Sequence, residues 1–245
     1  MRNLYFIGQD AAAFYTALFD AYKDENAYLL TDDVFQPSFD DVWINVTENE
    51  EKTGRVLNKL NAIDERAVYE AELILRSIHS EKAQIAFLYL RFLVKTGKSV
   101  RHHVNDERVR AAMDVFHAVQ YEIHRMKGFL RFKETETSVF YAPFSPDHDI
   151  VDLLAPHFMR RLGETPFVLH DVKRGKAFLA RGKEHLLIAA EHADLTLSER
   201  ENALETLWKS YYKTVAILER KNERQMKAYM PVRYWKFLPE KQELD

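Results

Sequence analysis

Cysteine is absent from this 245-residue chain. Disulfides, thiolate zinc sites, cysteine-ligated iron–sulfur clusters and cysteine nucleophiles fall away together, because each needs a thiol. Any metal would have to be held by histidine and carboxylate, and no spacing such as HExxH supplies a known cage, so no metal and no cofactor is expected. Glycine is nearly as sparse. The seven glycines, at 8, 54, 97, 128, 163, 175 and 182, never approach GxGxxG or GxxxxGKS/T, so the common backbone cradles for phosphate are missing. Long apolar runs are missing too: nothing reaches the roughly 20 residues of a membrane span, and the opening MRNLYFIGQD has no apolar core of a secretory signal. The expectation is a cytoplasmic protein with no membrane partner.

What is present is an ordinary globular composition, 47% hydrophobic and 30% charged, with enough length for one or two domains. The net charge of −3 hides a segregation. Residues 1–50 carry 2 Lys and Arg against 10 Asp and Glu, residues 91–133 carry 10 against 4, and residues 209–237 carry 8 against 2. The two basic stretches interleave aromatics, among them Tyr211, Tyr229, Tyr234 and Trp235. Such regions can track a phosphate backbone and stack bases, or they can be the solvated sides of helices beside core aromatics.

The hydrophobic periodicity predicts an α+β protein. A mostly helical subdomain over 1–127 opens with a short strand–helix–strand unit: Leu4 to Ile7, a helix capped by Asp10, and Val42 to Val46. Ile85 to Val94 is apolar nearly all round and should lie at the centre of the core, stopped near Gly97. Asn105 should cap a helix running to Lys127. Residues 128–197 read as a central antiparallel sheet, starting with a hairpin of Phe129 to Lys133 and Val139 to Phe144, with a helix from Asp149 to Arg161 inserted. Residues 198–245 begin with the capping box Ser198 to Glu201 and carry an apolar stripe of Leu204, Leu207, Trp208, Tyr211, Val215 and Leu218 before a basic aromatic tail. No linker separates these parts, so one compact unit is expected.

Three constellations could carry chemistry. His148, between Asp147 and Asp149, with His157, His170 and Asp171, offers ligands or a general acid and base; the same residues also suit turns and caps. On the helix before Lys127, Asp114, His117, Tyr121 and His124 share a face with Arg110 and Arg125, where repulsion disfavours a bound cation. Arg125, Lys127, Arg131 and Lys133 form the third, with Arg131 and Lys133 on one side of a strand and Phe132 on the other. Arg233, Tyr234, Trp235 and Lys236 in the tail join it as nucleic-acid contacts: in an extended segment the two rings point apart, one into the core and one free to stack.

The stretches Met126 to Phe132, Tyr141 to His148, Leu154 to His157 with Arg160 and Arg161, His170 to Gly175, Glu219 to Asn222 and Tyr229 to Lys236 resemble an uncharacterised bacterial family described as DNA metabolism proteins. The resemblance implies a DNA-repair context. Members are encoded beside a radical S-adenosylmethionine protein of DNA modification or repair, or fused ahead of uracil-DNA glycosylase-like domains. It assigns no catalytic residues, and the radical cluster would belong to the neighbour, since this chain has no thiol. The leading expectation is an accessory DNA-binding protein that presents DNA to that radical enzyme. The alternatives are a nuclease or glycosylase built on His148, His157, His170 and Asp171, and a protein adaptor whose acidic N-terminal part docks a basic partner.

Overall fold

The computed structural model describes residues 1–8, 10–31, 37–192, 196–215 and 222–242. It is a mixed α/β protein that divides within one long helix into two compact units, Met1–Tyr121 and Glu122–Asp245.

In the first unit, β1 (Asn3–Phe6), α1 (Ala11–Asp20), β2 (Ala27–Leu30) and β3 (Val42–Asn45) form a parallel sheet in the order β2-β1-β3. The Asp10 carboxylate caps α1, accepting the Ala12 amide at 2.8 Å. The expected strand–helix–strand unit therefore gains a strand: α1 leads into β2, which the short run Ala27–Leu30 signals only weakly, and β3 lies on the other side of β1. Helices α2 (Glu50–Ile63), α3 (Arg66–Leu75) and α4 (Lys82–Thr96) follow. The inward face of α4, with Phe87, Leu90 and Leu93, is fully buried, and Gly97 ends it at φ +72°, a left-handed cap that glycine adopts without strain.

The long helix, α5 (Glu107–Phe129), starts one residue later and ends two residues later than expected. Asp106 takes the capping role expected of Asn105, accepting the Arg108 amide at 3.0 Å. At the other end Gly128 does not interrupt the helix, because the Leu130 amide still reaches the Met126 carbonyl at 3.1 Å. Phe129 is thus helical, Arg131 lies in no strand, and the predicted first hairpin strand shrinks to β4 (Lys133–Glu134).

The second unit is built on a five-stranded sheet in the order β4-β5-β6-β7-β8, with β5 (Phe140–Phe144), β6 (Phe167–Asp171), β7 (Lys176–Arg181) and β8 (Glu184–Ala189). Three of its four pairings are antiparallel. The fourth, β5 with β6, is parallel, because α6 (Val151–Leu162) carries the chain back to the starting end. Asp149 does not cap α6; its N-cap is Ile150, and Asp149 instead pairs with Lys176. Phe158 of α6 meets Phe132 at 5.0 Å between ring centroids, and Phe132 meets Phe167 of β6 at 6.0 Å, an edge-to-face cluster that seats the helix on the sheet.

Helix α7 (Glu199–Val215) begins at the expected capping box, Ser198 Oγ accepting the Glu201 amide at 3.0 Å. Its apolar stripe is not buried: Leu204, Leu207, Trp208, Tyr211 and Val215 are all exposed, and Leu218 lies outside the described residues. After α8 (Glu223–Tyr229) the tail is not extended as expected. Pro231 opens a 3-10 helix over Val232–Phe237, with the Tyr234 amide bonded to the Pro231 carbonyl.

Candidate nucleic-acid interface

Adjacent residues in a strand face opposite ways, and this dismantles the histidine–aspartate constellation. His170 lies on one face of β6, its Nδ1 2.6 Å from the Tyr141 hydroxyl and its Nε2 2.8 Å from the Ala190 carbonyl. Asp171 lies on the other face, fully buried, and holds the following turn through the amides of Lys173 and Arg174 and the Arg174 guanidinium at 2.9 Å. His148 is buried, and that burial pushes its imidazole below the usual range against the pull of Glu122 and Asp147, with Arg174 and Arg233 adding to the depression. His157 stands on α6. Among the described residues, no group of three histidines or carboxylates could hold a metal ion.

The centre of this region is a residue the periodicity did not single out, Glu122. It is 4% exposed. Its carboxylate accepts the backbone amides of Asp147 at 2.9 Å and His148 at 2.8 Å and the Tyr234 hydroxyl, with the Arg233 guanidinium 3.7 Å away. A buried carboxylate is tolerated when donors surround it in this way. Its signal was available: Val119, Glu122 and Met126 follow i, i+3, i+7, so a charged residue stands on the apolar stripe of α5. Arg174 ties the same loop from the other side, donating to the Pro146 and Asp147 carbonyls.

Of the eight expected nucleic-acid contacts, several are already neutralised. Arg131 pairs with Glu240 at 2.7 Å and Lys133 with Glu205 at 2.9 Å. Burial pushes the Glu240 carboxyl up, yet hydrogen bonds from its own amide, Trp208 and Arg131, with Arg131's charge, hold it below the usual carboxylate range. Glu205 behaves alike, burial being outweighed by Lys133 and Lys209. Arg233 pairs with Asp147 at 2.7 Å. Tyr234, expected as a stacking ring, is 3% exposed, and burial together with Glu122 drives its phenol well above the usual range, so the structure removes it from any contact surface. Trp235 is half-buried, its indole N–H donating to the Met230 carbonyl at 2.9 Å and its ring facing Lys241. Arg125 donates to the Ala228 carbonyl, and Lys236 lies exposed over the Phe237 ring. These contacts bring the 125–133 stretch and the C-terminal stretch together, as Arg125–Ala228, Arg131–Glu240 and Glu122–Tyr234 attest.

Lys127 is different, and it leads to a patch that charge counting missed. On α6, His157, Arg160 and Arg161 share a face at i, i+3 and i+4, with both arginines exposed. Partial burial, then the charges of Lys127, Arg161 and Arg160, hold the His157 imidazole below its usual range. Three cations therefore act on one imidazole. Among the described residues no carboxylate pairs with any of the three, unlike Arg131, Lys133 and Arg233. Both arginines sit in the last turn of α6 and Lys127 in the last turn of α5, where the helix dipoles favour positive charge.

A family model described as a domain of unknown function, DUF4130, matches residues 80–240, about two thirds of the chain. No curated protein and no solved structure matches the sequence.

Proposed function

We propose that this chain, which belongs to the DUF4130 family of unknown function, binds DNA through its phosphate backbone, with Lys127, His157, Arg160 and Arg161 as the central contact. The observation that carries this is the gathering of three cations on His157 with no carboxylate partner among the described residues. Cations that are not internally neutralised repel one another, and a polyanion relieves that repulsion while releasing its own counterions. The resemblance to DNA metabolism proteins favours DNA over other polyanions. It also supports an accessory role in repair or modification, in which the chain presents DNA to a radical S-adenosylmethionine enzyme that brings its own cluster.

The test is fluorescence anisotropy with labelled single- and double-stranded oligonucleotides across a salt series. Three phosphate contacts on a duplex predict a slope of log K against log salt of about −2.7. The double reversal Arg160→Glu with Arg161→Glu should flatten that slope by about 2 units while the melting temperature barely moves. A slope unchanged by the reversal would overturn the proposal.

A further inference from the structure

Strand β8 ends the five-stranded sheet, and its outer edge carries no described strand. Every residue of it is exposed, including Leu186 at 60%, Leu187 at 48% and Ile188 at 36%. Soluble proteins normally blunt such an edge with proline, a bulge or several charges, and β8 has only Glu184 at its start. Three consecutive apolar residues on an open edge form a template for another strand.

The backbone fixes which residues can bond outward. The Ala190 amide donates to the Gly175 carbonyl at 2.7 Å, so in an antiparallel ladder the even-numbered residues of β8 face β7. The amide and carbonyl groups of His185, Leu187 and Ala189 therefore point to the open edge. We propose that this edge pairs antiparallel with the same edge of a second copy of the chain, about a two-fold axis at Leu187.

A symmetric antiparallel pair must match outward-facing residues with outward-facing residues. Centring on Leu187 meets that condition: Leu187 faces its own copy, and His185 faces Ala189. On the other face of the sheet Leu186 meets Ile188 twice, so the exposed apolar residues cover one another. Continued past the strand ends, the same register brings Lys183, in the turn before β8, toward Glu191, in the bend after it, at both ends of the pair. Neither has an ion-pair partner among the described residues, and in this register their charges are complementary to those of a second copy. The result is a continuous ten-stranded sheet.

Sedimentation of the full chain over a range of concentrations tests this. The expected species at high concentration has about twice the monomer mass of 28.9 kDa. Leu187→Pro removes an outward amide and no bond to β7, so it should yield a monomer that keeps its fold. Lys183→Glu should weaken the dimer about tenfold by opposing like charges, and adding Glu191→Lys to it should restore the affinity. This charge-swap pair also decides the matter if the proline variant fails to fold. A chain that sediments as a monomer up to about 100 μM, a dimer that survives Leu187→Pro, or a swap that restores nothing would each overturn the proposal.

Discussion

Replacing Glu122 by alanine should do far more damage than the loss of a single exposed carboxylate would. Two backbone amides, Asp147 and His148, and the Tyr234 hydroxyl would lose their acceptor inside a buried space. Each buried donor left without a partner costs about 1–3 kcal/mol, so the sum lies near 3–6 kcal/mol once some relaxation is allowed. For a chain of this size about 2–4 °C accompanies each kcal/mol, which predicts a fall in melting temperature of roughly 6–24 °C. Tyr234→Phe removes one donor and leaves the carboxylate its two amides, so about 1–2 kcal/mol is expected. The two changes should be non-additive, since once Glu122 is gone the hydroxyl keeps only the Arg233 guanidinium, which donates to it at 2.7 Å. A local readout accompanies the thermal one. Tyr234 anchors the 3-10 helix that carries the exposed Arg233 and Lys236, so Glu122→Ala should speed tryptic cleavage after both residues. If Glu122→Ala melts within about 2 °C of the parent and its tryptic pattern is unchanged, the carboxylate does not hold the loop and the tail together.

His157 titrates below the ordinary histidine range in the folded chain, so the unfolded state binds more protons and stability falls as the pH drops through that range; the partial exposure of the ring keeps the effect small. An NMR titration of its ring should have a midpoint below about 6.5, and adding a DNA oligonucleotide should raise it, because phosphate favours the protonated ring; a midpoint that DNA leaves in place would refute contact there. Gly182, first residue of the two-residue turn between β7 and β8, has φ +61°, and an added Cβ would lie 2.6 Å from Glu164 Oε2. The Glu164 side chain can swing away, so Gly182→Ala should cost about 1 kcal/mol from the backbone alone, a drop of roughly 2–4 °C, and a variant as stable as the parent would refute the strain.

Features that close within one turn or one strand were legible in the sequence. The Asp10 cap, the Ser198–Glu201 box and the stop at Gly97 stand where local hydrogen bonding puts them, and the strands around Phe167, Ala177 and Leu186 follow from apolar runs between turn residues. Where two local signals competed, the boundary moved: Asp106 displaced Asn105 as a cap, and α5 ran through Gly128 because nothing there demanded a left-handed turn. Tertiary structure alone decided which charges stay open. Arg131 finds Glu240 across 109 residues and Lys133 finds Glu205 across 72, and no spacing rule reaches that far. Glu122 became a buried hub, and Tyr234 a clasp, only because the loop before α6 brings two amides to the same carboxylate. Lys127, His157, Arg160 and Arg161 come together because Phe132, just beyond the end of α5, packs on Phe158 of α6. Composition counts cations along a chain, whereas the field that a ligand meets depends on which of them the fold has already neutralised.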